Sequence, residues 1–284
     1  MLRSYKLTEG ERNQCFILSI CRYISPCIII LMIVTGLFIK EAPSLSIIDS
    51  ENKLQEWIII GVLAHKTYFF PWLLVIFLAI TFGTLVGVLS SKFIGEGKIA
   101  RIFNLVGICI TDVLESLPKY PTILLGVVII PEYYLHELCY VMAILGILNS
   151  SKISRIVKAK IDHLKEKEYI EAARSFGISR SRLIFVHILK CHCLAMFISQ
   201  VFFQMIDVIL VEIGLAYINS VVGGRTSKPT FGNMLVISKE YITQEGFWLF
   251  IIPIVFIVFN ILTFLYIAQV LEEKLKRQAY DVNI

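Results

Sequence analysis

The chain has 284 residues, of which 57% are hydrophobic and 17% are charged. Soluble domains are typically about 45–50% apolar and about 25% charged, so this balance excludes an ordinary soluble domain. The net charge of +5 does not indicate nucleic-acid binding, because membrane proteins collect lysine and arginine in their cytoplasmic loops. The seven cysteines lie mostly in or beside apolar runs, which predicts reduced thiols and no disulfide framework.

Six apolar runs predict an all-α integral membrane protein with about six transmembrane helices, since each span needs about 20 apolar residues. They lie at residues 23–38, 69–89, 102–130, 135–148, 194–218 and 247–268. The third run is the weakest because polar residues and prolines interrupt it. Its span either begins near Tyr120 or follows a broken helix. The interrupting residues are Asp112, Glu115, Pro118, Lys119 and Pro121.

Basic residues predict the orientation of these spans. Several arginines and lysines precede the first run and no small-residue cleavage pattern follows it, so we expect an uncleaved anchor with a cytoplasmic N-terminus. Six spans then place the C-terminus inside as well, and the loops predicted to be inside are richer in lysine and arginine. We divide the chain into a cytoplasmic segment (1–22), a first span with an extracytoplasmic loop (23–68), and a core (69–284) with a charged loop at 151–190.

The charged loop has helical patterning. Apolar residues follow one helical face at Ile153, Ile156, Val157, Ile161 and Leu164. Strong helix formers continue the helix through 168–174. Gly177 then ends it, and Ser179 is placed to cap a second helix that runs on toward the next span. The loop is therefore predicted to be a helix, a glycine turn and a helix, a shape that fits a groove on a partner.

Three motifs resemble a known family. Glu171-Ala-Ala, followed by Gly177 and then by His187-Ile-Leu, resembles the EAA loop of binding-protein-dependent ABC transporter permeases. The surrounding sequence resembles the dipeptide, oligopeptide and nickel branch. Glu212 resembles the family's glutamate at the end of the fifth span. Phe231-Gly-Asn-Met-Leu resembles its Trp-Gly-Asn-Met-Leu stretch, so the likeness covers about the last two thirds of the chain.

The chain also departs from the family at several positions. Lys190 stands where the family usually has proline, and Phe231 replaces its tryptophan. The family's Gly-Thr-Asp-x-x-Gly-Arg-Asp stretch before the second span has no clear counterpart, and Ala64-His-Lys-Thr-Tyr-Phe stands there instead. These departures mean that fine substrate assignments are not carried over from the family.

The resemblance implies the type I ABC importer permease fold, in the bacterial cytoplasmic membrane. It implies a translocation path for oligopeptides or dipeptides, and coupling to two separate ATPase subunits that bind ATP and Mg. A second homologous permease, an extracytoplasmic substrate-binding protein and membrane lipid are the other implied partners. The alternatives are import of nickel or a metal chelate, a non-transporting membrane scaffold or sensor derived from the fold, and a secondary transporter, which would need no EAA loop.

The resemblance also assigns roles within the coupling loop. Glu171 would make polar contacts with an ATPase groove, Ala172 and Ala173 would allow close approach, and Gly177 would set the bend. Phe176 is either an apolar anchor for the ATPase or a side chain that packs under its own helix.

The sequence favours no cofactor or metal in this chain. The nearest match to a phosphate-binding loop is Gly95-Glu-Gly-Lys-Ile99, which lacks the first glycine and the hydroxyl that such a loop needs. ATP hydrolysis is therefore expected in partner subunits. His187, Cys191, His192 and Cys193 are candidates for a metal site, since His187 and Cys191 are four apart and share a helix face. Cys191 and Cys193, however, point to different sides of a helix, which disfavours the site.

Acidic residues inside the fifth run are candidates for the translocation path. Asp207 and Glu212 lie there, with Gln204 and Asn219 nearby, and charges inside a span default to a functional role because they are costly. They would line a polar pathway for a peptide amine or a metal chelate. Alternatively, they hydrogen-bond neighbouring helices or lie at the outer interface. The acidic pair in the third run has the same alternatives.

Overall fold

The computed structural model describes residues 53–91, 97–129, 137–222, 230–239 and 247–281. Within these ranges every regular element is a helix, so the all-α prediction is confirmed. In chain order they are α1 (Lys53–Leu89), α2 (Lys98–Ser116), α3 (Lys119–Ile129), α4 (Glu137–Lys165), α5 (Glu168–Ser175), α6 (Arg180–Arg182), α7 (Leu194–Val222), α8 (Phe231–Ser238) and α9 (Phe247–Asp281). A π-helical stretch, Leu183–Cys193, joins α6 to α7.

Four helices in the described part of the chain are long and apolar enough to cross a membrane. They are Trp57–Leu89, Leu138–Lys165, Leu194–Ile218 and Leu249–Glu273. Each overlaps one of the predicted runs. The first predicted run, 23–38, and the cytoplasmic segment 1–22 lie outside the described residues.

The third predicted run is a broken helix, as one of the two sequence interpretations expected. α2 ends at Ser116, Leu117 has extended backbone angles, and α3 begins at Lys119. The proline at 118 explains the break, because a residue before proline is biased away from helical angles and proline itself has no N–H to donate.

The prediction of a loop before the second span was wrong for residues 53–68. These residues form the first part of α1, so the predicted boundary at 68/69 falls inside a helix. His65 and Lys66 made the apolar run look interrupted. However, His65 is fully buried, and a hydrogen bond links its Nε2 to Asn260 Oδ1 on α9 at 2.9 Å. A polar side chain satisfied inside the bundle does not end a helix.

Glycines allow α1 and α4 to approach closely. A Cβ atom on Gly83 would lie 2.8 Å from the carbonyl oxygen of Ser150, and one on Gly87 would lie 2.8 Å from that of Ser154. Ser154 also shares a hydrogen bond of 2.9 Å with Thr111 on α2. Small residues at contacts of this kind let membrane helices pack backbone against backbone.

We expect Gly83→Val to lower the free energy of unfolding by about 2–3 kcal/mol, because the added side chain overlaps backbone that cannot move aside. Thermal unfolding of the purified protein in mild detergent measures the change. Gly97→Val is the matched control: Gly97 caps α2 with open space around it and a φ of −74°. An equal loss of stability in both variants would contradict the close approach of α1 and α4.

A second apolar core lies at the end of the bundle that carries the charged loop. We call it the loop core, and its buried members are Ala79, Ile153, Val157, Ile161, Leu164, Ile170, Leu183, Ile184, Ile188, Leu189 and Cys193. It includes four of the five residues of the apolar stripe predicted in the loop, and Ile156 is half-buried. The loop core joins α1, α4, α5 and the π-helical stretch into one packed unit.

The prediction that one helix continues from residue 153 through residue 174 was wrong. α4 ends at Lys165, Lys167 is extended (φ −82°, ψ 136°), and α5 begins at Glu168. Leu164 and Ile170 are both buried in the loop core. Residues six apart on one continuous helix would point to different faces, so the break is what lets both side chains enter the same core.

Candidate functional site

The helix α5 presents one face to the loop core and the other to solvent. Ile170 is buried and Ala173, three residues later on the same face, is half-buried against that core. Glu171 and Ala172 are exposed. The two alanines of the EAA motif therefore differ, because Ala173 packs within the chain while Ala172 remains free to meet a partner.

A glycine turn ends α5 in the way that the sequence predicted. Gly177 has φ +80°, its N–H donates to the Arg174 carbonyl at 2.9 Å, and the Ile178 N–H donates to the Ala173 carbonyl at 3.3 Å. This hydrogen-bond pair is a Schellman motif, with Ile178 packing against the loop core. A Cβ at Gly177 would meet nothing within 4 Å, so glycine is needed for its backbone angle.

Phe176 stands out from this turn with 86% of its surface exposed. It therefore does not pack under its own helix, which was one of the two alternatives. The next helix begins after Ser179, whose backbone has N-cap angles but whose side chain makes no capping hydrogen bond. We call Glu171, Ala172, Phe176 and Gly177 the knob, since all four belong to the solvent-facing surface of α5 and its turn.

Glu212 lies in an enclosed junction between α1, α7 and α8. It is 5% exposed, and its carboxylate accepts hydrogen bonds from the Tyr68 hydroxyl and from the Gly232 N–H at 2.9 Å. Thr230, the N-cap of α8, is a further partner. A Cβ on Gly232 would lie 2.7 Å from this carboxylate, so only glycine fits there. Glu212 thus holds the start of α8 against two long helices.

Gln204 also bonds within the bundle. It is buried, and its Oε1 accepts a hydrogen bond of 2.6 Å from Asn149 on α4. The contacts of Glu212 and Gln204 match the second sequence alternative, in which these residues hydrogen-bond neighbouring helices. The side chain of Asn219 lies outside the described residues.

Asp207, in contrast, belongs to a partly exposed row of charges. Its carboxylate lies 2.9 Å from Lys119 Nζ on α3 and 3.7 Å from Lys152 Nζ on α4. One turn further along α4, Arg155 contacts both Asp112, at 3.2 Å, and Glu115. We call these six residues the polar ladder, and it runs across α2, α4, α7 and α3. The sequence identified the three carboxylates of the ladder as candidates for the translocation path. It did not identify the basic residues with which they form ion pairs.

Comparison with known proteins decides the family. Residues 100–277 match the family described as the binding-protein-dependent transport system inner membrane component. That match covers more than half of the chain and includes the knob, the polar ladder and the Glu212, Thr230 and Gly232 side of the junction, whereas Tyr68 precedes it.

The chain belongs to this family.

Individual relatives are permeases of peptide transport systems. The dipeptide transport system permease protein DppC of Alkalihalophilus pseudofirmus is 28% identical over 175 residues, which is 62% of this chain and 53% of the relative. The oligopeptide transport system permease protein OppC of Bacillus subtilis is 34% identical over 79 residues, 28% of this chain and 25% of the relative. The chain spans about half the length of the curated relatives it matches, or less. These relatives are transport permeases and not enzymes.

The membership explains the overall composition of this permease. It is an integral membrane component of a transport system, and the long apolar helices are its membrane-embedded part. The EAA loop resemblance and the Gly-Asn-Met-Leu stretch both lie within the matched residues, so the sequence motifs identified the family correctly.

Of the four candidate metal ligands in the π-helical stretch, the structure describes the side chain of Cys193 alone. No three His, Cys, Asp or Glu residues come together as ligands in the parts of the permease that the structure describes. Cys193 is packed in the loop core, and this burial raises the pKa of its thiol to about 11, which disfavours the thiolate that binds metals. His187, Cys191 and His192 have side chains outside the described set.

We expect Tyr68→Phe to lower the free energy of unfolding of the permease by about 1–3 kcal/mol, because Glu212 would lose a hydrogen bond in a buried site. The phenyl ring should keep the stacking of Tyr68 on Trp72 and Phe231. Thermal unfolding in detergent measures the loss. Tyr120→Phe is the matched control, since the Tyr120 hydroxyl is more exposed and its hydrogen bond to the Leu210 carbonyl is long, at 3.4 Å. No difference between the two variants would contradict the role of the junction.

Proposed function

We propose that this permease is one subunit of an ATP-driven importer that moves dipeptides or oligopeptides across the bacterial cytoplasmic membrane. Membership of the family supports transport, and the names of the relatives favour peptides over nickel or a metal chelate. The observation that carries the coupling mechanism is the exposure of Phe176 at the tip of a glycine-capped turn. A large aromatic side chain held in solvent by a rigid turn suits insertion into a partner's groove.

Two ATPase subunits are the proposed partners of the importer at the cytoplasmic side. They would bind ATP and Mg, and this chain would bind neither. The exposed Glu171 would make polar contacts with a groove in one ATPase, Ala172 would allow its backbone to approach, and Phe176 would fill an apolar pocket. Gly177 would set the direction of the knob.

The loop core offers a route for the motion. Ile170 and Ala173 fix α5 to the same packed unit as α4 and the start of α7. A shift of the knob would therefore carry those long helices with it as a rigid body, which is how packed helices pass a local displacement on. Closure of the ATPases would in this way switch the bundle between inward and outward access.

Two further partners complete the proposal. A second homologous permease would form the other wall of the translocation path, and an extracytoplasmic binding protein would deliver the substrate. Asp207 would line the path, whereas Glu212 and Gln204 would act as positioning residues that hold the helices of its wall. Both termini of the chain would lie in the cytoplasm.

Purification in mild detergent from the native host, followed by mass spectrometry, tests the proposal. We expect two ATPases, a second permease and a binding protein to accompany the chain, and a photo-crosslinker placed at position 171 to capture an ATPase. A matched crosslinker at position 98, an exposed position at the start of α2, should capture it less. A chain that remains alone in both experiments would favour a membrane scaffold and overturn the importer.

A further inference from the structure

The polar ladder consists of two neighbouring groups with opposite net charge. In the first group, Lys119 and Lys152 share the one carboxylate of Asp207, which leaves one positive charge uncompensated. In the second group, Arg155 is shared by the carboxylates of Asp112 and Glu115, which leaves one negative charge. The ladder is neutral as a whole, but it has a basic end and an acidic end.

The two groups are joined along α4. Lys152 and Arg155 are three residues apart on that helix, so their Cβ atoms lie about 5–6 Å from each other on one face. Asp112 and Glu115 are also three apart, on one face of α2. The acidic and basic ends are therefore adjacent along α4.

Both ends keep unused bonding capacity. The side chains of Arg155, Asp112 and Glu115 are 55%, 60% and 46% exposed, and that of Lys152 is 54% exposed. Each lysine ammonium carries three donors, and each carboxylate has about four acceptor sites. The ion pairs within the ladder use only part of these, so an added carboxylate or ammonium group would still find partners.

The ladder lies where the apolar part of α4 meets the charged loop that begins at residue 151. Lys152 lies about 21 Å along α4 from Leu138, and Asp207 lies about 20 Å along α7 from Leu194. Those two residues begin apolar helices long enough to span a membrane, whose hydrocarbon core is about 30 Å thick. Partly exposed charges beside apolar helices of this length face water or protein, because hydrocarbon is too costly for them.

Resting on the proposed transport function, we propose that the polar ladder binds the two charged ends of a zwitterionic peptide during its passage. Lys119 and Lys152 hold the terminal carboxylate, while Asp112 and Glu115 hold the terminal ammonium group. This assigns a substrate-recognition site to the permease itself.

Two single substitutions neutralise the two ends separately. Lys119→Gln leaves the Lys152–Asp207 pair and removes the excess positive charge, while Glu115→Gln leaves the Arg155–Asp112 pair and removes the excess negative charge. Lys98→Gln is the control, because Lys98 is an exposed charge on α2 outside the ladder. The full complex with its binding protein is reconstituted in proteoliposomes, and uptake is measured for trialanine, trialanine amide and N-acetyl-trialanine.

The two ends should respond to different probes. Lys119→Gln is expected to lower the uptake of trialanine relative to trialanine amide about tenfold, the value of one charge-assisted hydrogen bond. Glu115→Gln should lower the uptake of trialanine relative to that of N-acetyl-trialanine by a similar factor. Each ratio is compared with that of the native complex, so discrimination by the unchanged binding protein cancels. Lys98→Gln should leave both ratios unchanged.

Three results would overturn the assignment. Unchanged ratios in both variants, with native trialanine uptake, would remove the ladder from the path and leave the transport function intact. The ladder would be a subunit interface if a variant lost uptake of all three peptides equally and no longer co-purified with the second permease. A native complex that moves none of the three peptides but imports a nickel chelate would contradict the proposed peptide transport itself.

Discussion

Gly177→Pro is expected to abolish ATP-driven uptake by the assembled transporter while the membrane-spanning helices remain folded. Gly177 has φ +80°, whereas proline fixes φ near −65°, and proline also lacks the N–H that bonds the Arg174 carbonyl at 2.9 Å. A mismatch of this kind costs about 3 kcal/mol or more, which corresponds to a decrease of about 100-fold in the population of the native turn. The knob would then point in the wrong direction.

A graded series at this position separates the turn from other effects. Asparagine adopts the left-handed conformation readily, so Gly177→Asn should retain most uptake. For alanine this conformation costs about 1–2 kcal/mol, so uptake by Gly177→Ala should lie between that of the asparagine and proline variants. Uptake of trialanine and the ATPase rate are measured together in proteoliposomes, and circular dichroism checks the helix content. Native uptake by Gly177→Pro, or a series ordered by side-chain size instead of backbone angle, would contradict the role of the turn.

The sequence predicted the knob because the pattern that forms it is local. An apolar stripe at helical spacing, a glycine and a second helical segment lie within about 40 residues, and the structure has this helix–turn–helix order. The break in the third run was also predictable, since the proline at 118 acts on its own neighbours. Local chemistry was sufficient for both elements.

Contacts between distant residues set the features that the sequence did not show. His65 was interpreted as part of a loop because its partner, Asn260, is 195 residues away. Tyr68 and Glu212 meet across 144 residues, and Lys119 and Asp207 across 88. Each of these polar groups is tolerated within the bundle only because a distant helix supplies its partner. A single sequence carries no sign of such pairs.

One departure from the family now has a structural account. The stretch Ala64-His-Lys-Thr-Tyr-Phe replaces the family's glycine-rich and acidic stretch, and it forms regular helix within α1. Its His65 ring packs edge-on against Phe231, and its Tyr68 ring stacks on Phe231. Phe231 in turn replaces the family's tryptophan, so two departures that are far apart in sequence meet in one contact.

Phe176→Ala is expected to weaken the association of the permease with its ATPase subunits about 30-fold or more. Aromatic residues at the centre of an interface contribute about 2–4 kcal/mol when truncated to alanine, and each 1.4 kcal/mol is a tenfold change in affinity. Phe176 fits this role because 86% of its surface is exposed in the isolated chain and its backbone is fixed by the turn. A titration of the detergent-solubilised permease, with any proposed partner permease that co-purifies, against the purified ATPases measures the affinity.

Phe77→Ala provides the matched control, because Phe77 is also largely exposed, at 64%, but lies on the membrane-spanning part of α1. It should leave ATPase binding unchanged, so a loss specific to Phe176 would assign the contact to the knob. Glu171→Lys adds an electrostatic probe on the same surface, and it should weaken binding more at low salt than at high salt. If Phe176→Ala binds the ATPases with native affinity while Glu171→Lys does not, Glu171 and not Phe176 provides the main contact with the ATPase. The exposed aromatic ring must then serve another contact of the assembled transporter.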